Sequence, residues 1–231
     1  MELRPLLLAA IACSGSKTKI EDAKPIVHPA DAAVVRPDAP PPGGKGDASV
    51  RIEWHDVPLA ARAPGPCGPE VAPTTTWGIP DVVVSIDVPR AGPAPARSPR
   101  VVLDRCFHPA VQLATTSLTI ASNALQPAKL ALARDGGAAI PVELPIAGHE
   151  VAVTLDPGRY TLTSGAAKAW VVAAPTPFAA VTDATGVAVM RDVPSGTYAV
   201  TAWSPGSGRS AKGEVTVVAG QLAEVTLQLQ P

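Results

Sequence analysis

From residue 50 onward, apolar and polar residues alternate with a period of two over many short stretches, the pattern of strands with one buried face. Val151, Val153 and Leu155 fall on one side, with Ala152 and Thr154 opposite. Val225, Leu227 and Leu229 alternate in the same way with Thr226, Gln228 and Gln230. The pattern predicts strands over 50–54, 81–88, 100–103, 117–121, 129–133, 150–155, 159–163, 169–173, 186–190, 197–203, 214–218 and 223–228. No long window carries the 3.6-residue period of an amphipathic helix.

The breaks between these stretches have their own chemistry. Asp156-Pro157-Gly158 and Pro205-Gly206 are tight-turn sequences, and Asp135-Gly136-Gly137 supplies residues that tolerate positive φ. Turn signals recur roughly every 8–12 residues, the spacing of a β-sandwich. Twenty-seven prolines and 19 glycines agree with frequent turns and exclude a helical protein, because each proline removes a backbone donor and ends a helix. Hydrophobic residues make up 46% of the chain but aromatics only 3%, so the core is built from small side chains. The 19 basic and 20 acidic groups leave a net charge of −1, and no Lys/Arg cluster forms. Nucleic acid, which is held largely by neutralising its phosphates, is therefore not an expected partner.

The first 49 residues follow neither period. Leu6 to Ala12 is an apolar run of seven that ends at Cys13. Seven residues are too few for a hydrocarbon core of about 30 Å, but they match the h-region of a secretory signal. Ala10-Ile11-Ala12-Cys13 resembles the bacterial lipobox, with alanine where a larger aliphatic is usual; a misassigned start codon is the rival explanation. The resemblance implies a lipidated Cys13, attachment of the protein to a membrane through that lipid, and a cell-envelope location at the outer membrane or periplasmic face. Residues 14–49, with Pro40-Pro41-Pro42 and Gly43-Gly44, read as a disordered tether.

With Cys13 assigned to lipid, Cys67 and Cys106 remain as an even pair, most simply a disulfide in an oxidising compartment. The rival, a metal site using both thiols and His108, lacks the closely spaced ligand pairs of structural zinc.

Two stretches carry family resemblances. Val181-Thr182-Asp183-Ala184-Thr185-Gly186, then Asp192-Val193-Pro194-Ser195-Gly196-Thr197-Tyr198 and Ala219-Gly220-Gln221, resemble a carboxypeptidase regulatory-like (transthyretin-like) β-sandwich repeat. In that reading Asp183 to Gly186 closes a hairpin, and the unit, lacking its own opening strand pair, shares the preceding sheet. The stretch before it is similar to a cupredoxin-like domain, through the strand at 81–88, Cys106-Phe107-His108-Pro109, Leu118 to Asn123, Pro157 to Leu162 and Ala169 to Val172. Copper-binding members have Asn-x-Asp leading to a ligand histidine, whereas Asn123 is followed by Ala124-Leu125-Gln126. The later ligand loop falls on 160–169, which holds no Cys, His or Met. A blue-copper site needs two histidines and a cysteine, so the resemblance implies a sandwich without its metal.

The expected organisation is thus all-β: a signal peptide and lipobox over 1–13, a tether over 14–49, a cupredoxin-like sandwich over 50–174 and an Ig/transthyretin-like sandwich unit over 175–231. No nucleophile elbow or His-Glu-x-x-His motif is present, and Asp183 and Asp192 occupy turn positions that favour aspartate for local hydrogen bonds. No catalytic residue, cofactor or metal is expected. Trp203, beside the glycine-rich stretch 204–208 and on one strand face with Thr197, Ala199 and Thr201, is the best candidate for stacking on a ligand, with Trp170 second. The leading functional expectation is a non-enzymatic envelope lipoprotein that binds or scaffolds an envelope protein or polysaccharide. A periplasmic copper electron carrier and an unrecognised hydrolase follow it.

Overall fold

A computed structural model describes residues 43–56, 67, 77–89, 91–92, 99–174 and 176–230. Among them there is no helix. The described residues form sixteen strands in four sheets, paired face to face as two β-sandwiches.

The outer sandwich takes its strands from both ends of the described chain. Its first sheet has the order β13 (Val187–Pro194), β1 (Lys45–Glu53), β16 (Leu222–Gln228). Its second runs β12 (Ala179–Val181), β2 (Val83–Asp87), β14 (Gly196–Trp203), β15 (Ser210–Val217). In β1 the alternation aims Ala48, Val50 and Ile52 inward, against Val84 and Ile86 of β2 and Val200 and Ala202 of β14. β1 is central, antiparallel to β13 and parallel to β16.

The inner sandwich is one continuous stretch. It pairs the sheet β5 (Val111–Ala114), β11 (Ala167–Ala173), β10 (Gly158–Ser164), β7 (Ala128–Arg134), β8 (Ala139–Leu144) with the sheet β4 (Phe107–His108), β3 (Arg100–Leu103), β6 (Ser117–Ser122), β9 (Glu150–Thr154). Phe107, Leu118, Ile120, Leu132, Leu144 and Leu162 form the centre of its core. Both cores consist mainly of Ala, Val, Leu and Ile.

The inner sandwich is therefore inserted between β2 and β12 of the outer one, and the hydrogen bonds redraw the expected division at 174/175. β1 and β2 pair with strands beyond residue 175, not with the cupredoxin-like stretch. The tether boundary at 49 moves as well, because Lys45 to Ser49 form the first half of β1. Ala48 is the one apolar side chain in that half, so it is pairing with strands far along the chain that holds it extended.

The turns also connect differently from expectation. Asp183 to Gly186 links β12 to β13, which lie in different sheets, so it is a corner and not a hairpin within one sheet. Asp183 Oδ1 accepts from the Thr185 amide (2.8 Å), the Thr185 hydroxyl (2.7 Å) and the Val187 amide (3.1 Å). Gly186 has φ 81° and abuts Gly78 and the Ile79 amide so closely that a Cβ there would lie 2.5 Å from Ile79 N. Asp192 stands in no turn: it is the bulged residue of β13, at φ 55°, and its amide donates to Asp47 Oδ1. The four strands without a sequence signal are β4, β5, β8 and β12. Three are four residues or shorter, and β8 is an edge strand carrying Pro141, a position where a missing donor is tolerated.

Candidate functional site

The two sandwiches meet along a small apolar seam of Val83, Val111, Leu113, Ala174 and Ala179, with Val172, Val181 and Trp203 packed on it. Beside the seam opens a groove of about 590 Å³. Its floor is the outward face of β2, β14 and β15. Register places Ser85, Thr201 and Lys212 in one row across the three strands, and Val83, Trp203 and Ser210 in the next. The Ser85 and Thr201 hydroxyls are 2.8 Å apart and bonded to each other. Asp87 lies one row further, opposite Ala199. The opposing wall comes from the inner sandwich and its exit, with Arg159, Val172, Ala174 and Thr176.

Trp203 takes the predicted face of β14, with Val200 and Ala202 turned into the core. One face of its ring is occupied: the Arg159 guanidinium carbon stands 4.3 Å from the ring centroid. Arg159 projects from β10, directly after Gly158, and reaches across from the inner sandwich. Trp170 shares the outward face of β11 with Val172 but does not line the groove, and Lys168 Nζ covers its ring at 4.6 Å. The two tryptophans singled out in the sequence therefore do not form one stacking surface. No sequence signal gives Arg159 a site role; the recurrence of Gly-x-Tyr at Gly158-Arg159-Tyr160 and Gly196-Thr197-Tyr198 marks only the turn that aims it outward.

A second polar cluster lies on the outer sandwich. The Glu53 carboxylate accepts from Arg51 Nε (2.7 Å) and Gln228 Nε2 (3.0 Å) and contacts His55 Nε2 at 2.9 Å, with the exposed Trp77 edge-on to His55. The Arg51 hydrogen bond, helped by His55 and opposed by partial burial, holds the Glu53 carboxyl below its ordinary value. The Asp183 carboxyl is likewise lowered, chiefly by the Thr185 hydroxyl and then by the Val187 and Thr185 amides, against a burial cost. The Asp183 carboxylate is used within its own turn, whereas Asp192 bonds through its backbone amide to Asp47 across the sheet, so the two make no shared site.

Cys67 and Cys106 form a disulfide with their Cα atoms 5.1 Å apart. Cys67, from the stretch between β1 and β2 of the outer sandwich, packs against the core of the inner one. Cys13 lies outside the described residues. His108 is exposed at the end of the two-residue strand β4. The stretch 160–169 forms the β10–β11 hairpin, with Tyr160, Leu162 and Ala169 pointing into the core. Among the described residues no three His, Cys, Asp or Glu side chains converge as a metal site.

Compared with protein-family profiles and with curated proteins, the chain gives no match.

Proposed function

We propose that this chain is a cell-envelope lipoprotein, tethered through Cys13, whose nested sandwiches act as a non-enzymatic binding or scaffold module for a protein or polysaccharide of the envelope. The observation that carries the reading is the groove between the sandwiches. It combines apolar side chains (Val83, Val172, Ala174 and Trp203), a row of hydroxyls and charged groups of both signs, the mixture by which a concave site fixes a ligand's orientation. The apolar run ending in Cys13 supports the tether, and the disulfide suits an oxidising compartment. That same bond speaks against the copper carrier, which would need Cys106 as a free thiolate.

A photoreactive residue placed at Ser210 on the groove floor, and separately at Glu224 on the far sheet, tests the binding module in intact cells. Adducts at 210 and none at 224 are expected. Equal labelling at both, or none at 210, refutes the groove as the binding surface. For the tether, Cys13→Ala should move the protein from the membrane fraction to the soluble fraction.

A further inference from the structure

Arg159 is the feature of the groove that the binding-module reading leaves unexplained. Its guanidinium lies over Trp203, and among the described residues no carboxylate pairs with it. Lys212, in the same groove, likewise has no ion-pair partner among them. Two cations, Arg159 and Lys212, face the concavity against the single lining carboxylate of Asp87, which leaves a net positive charge that an entering anion would neutralise. Stacking on an indole fixes the plane of the guanidinium while its N–H edges stay available. Those edges match the two oxygens of a carboxylate. Lys212 lies two residues along β15 from Ser210, which pairs directly with Trp203, so its backbone is a diagonal neighbour of Trp203, about 7–8 Å away. A lysine stem spans that distance, so one anion above Trp203 is within reach of both cations.

The rest of the lining points to hydroxyls on the ligand. Ser210 can donate and accept, the bonded Ser85–Thr201 pair keeps one free proton and lone pairs on both oxygens, and Asp87 offers an acceptor beyond them. Neighbouring strands stand about 4.8 Å apart, which spaces these groups on the scale of hydroxyls around a sugar ring. We propose that the groove binds an acidic saccharide, with a sugar carboxylate on Arg159 and Lys212 and the ring hydroxyls on Ser85, Thr201, Ser210 and Asp87. Trp203 acts here as the support that orients Arg159. The proposal rests on the binding-module reading and names its ligand class.

Calorimetric titration of the full chain in detergent tests it, with an oligogalacturonate as the probe, its methyl ester as the uncharged control and a poly-glutamate peptide as the acidic control. Saturable binding of the oligogalacturonate is expected, with little for the ester or the peptide. Arg159→Gln and Lys212→Gln should each weaken it about tenfold, and raising salt should weaken it further. Both side chains are exposed, so the variants should keep the parent melting curve, which is measured alongside. Trp203→Phe should keep part of the affinity, since a phenyl ring still supports a cation. No binding of the oligogalacturonate overturns the proposal, as does binding that both charge variants leave intact. Equal binding of poly-glutamate assigns the groove to acidic peptides instead. Adducts at Ser210 in cells together with a flat titration would leave the binding module standing and remove only the saccharide.

Discussion

The two sandwiches bury similar small-residue cores by opposite chain routes. The inner one, β3 to β11, completes both sheets from one continuous stretch. The outer one gathers β1, β2 and β12 to β16 across that insertion and joins its first strand to its last in a parallel pair. Yet both use the same local device. In Gly158-Arg159-Tyr160 and Gly196-Thr197-Tyr198 the glycines have φ 153° and 158°, and the tyrosine hydroxyls donate back to the Asp156 carbonyl (2.9 Å) and the Ser195 carbonyl (3.2 Å). The middle residue points outward in each. Thr197 meets Thr216 on its own sheet at 3.0 Å, whereas Arg159 meets Trp203 of the other sandwich. A shared turn sets the direction of a side chain, and the packing of its neighbour decides what it meets there.

The disulfide gives the largest expected effect, because it ties a connection of the outer sandwich onto the inner core. For a separation of 39 residues, loop-closure entropy puts its contribution at about 4 kcal/mol. Cys67→Ser/Cys106→Ser should lower stability by about that amount in denaturant unfolding. A loss below about 1 kcal/mol would mean that the staple is idle.

Core truncations sharpen the comparison. Ile52→Ala in the outer core and Leu162→Ala in the inner one each remove a fully buried side chain and should cost about 3 kcal/mol. Hydrogen exchange separates them. Ile52→Ala should open β1 and leave the Leu132 amide in β7 protected, because the inner sandwich closes on its own stretch. Leu162→Ala should loosen both sandwiches, because the insertion holds β2 and β12 in place. Equal loss of protection at both sites under Ile52→Ala breaks the comparison.

Glycine corners distinguish strain from crowding. Gly136 in the β7–β8 turn has φ 72° and open space around it, whereas Gly186 combines φ 81° with backbone contact. Gly136→Ala should cost about 1 kcal/mol, and Gly186→Ala about 2–3 kcal/mol or more, read from chemical denaturation. Tyr160→Phe and Tyr198→Phe should each cost about 1 kcal/mol and by similar amounts, as the common turn requires. A difference of 2 kcal/mol between them would show that the two turns are not equivalent.

The smallest effect is acid sensitivity. Glu53 and Asp183, both in the outer sandwich, have carboxyl groups held below their ordinary values of 4.5 and 3.8. Groups depressed in this way stabilise the fold above those values, and the contribution is lost as pH falls through the lower folded-state values. Being near the surface, each is worth under about 1 kcal/mol. Acid titration followed by exchange should therefore loosen β1 and β13 before β7 and β10. Glu53→Gln should shrink that difference, and an unchanged acid profile would remove Glu53 from the account.

The all-β class was legible in the sequence because a strand with one buried face writes its period of two directly into the chain, as in Val151-Val153-Leu155. The disulfide was legible by cysteine count once Cys13 was set aside. The aspartate of the 183–186 turn was legible too, since an Asx hydrogen bond spans only a few residues. What the chain alone left open was partnership. Lys45 to Ser49 resembles a linker because its extended form is imposed by β13 and β16, more than 130 residues away. The insertion of one sandwich in the other has no local signature, since β2 and β12 would look the same in consecutive domains. Arg159 looks like any exposed strand residue until the folded chain brings Trp203 beneath it, 44 positions later. Alternation and turns are properties of neighbouring residues, whereas the groove exists only where two separately closed sheets come to rest against each other.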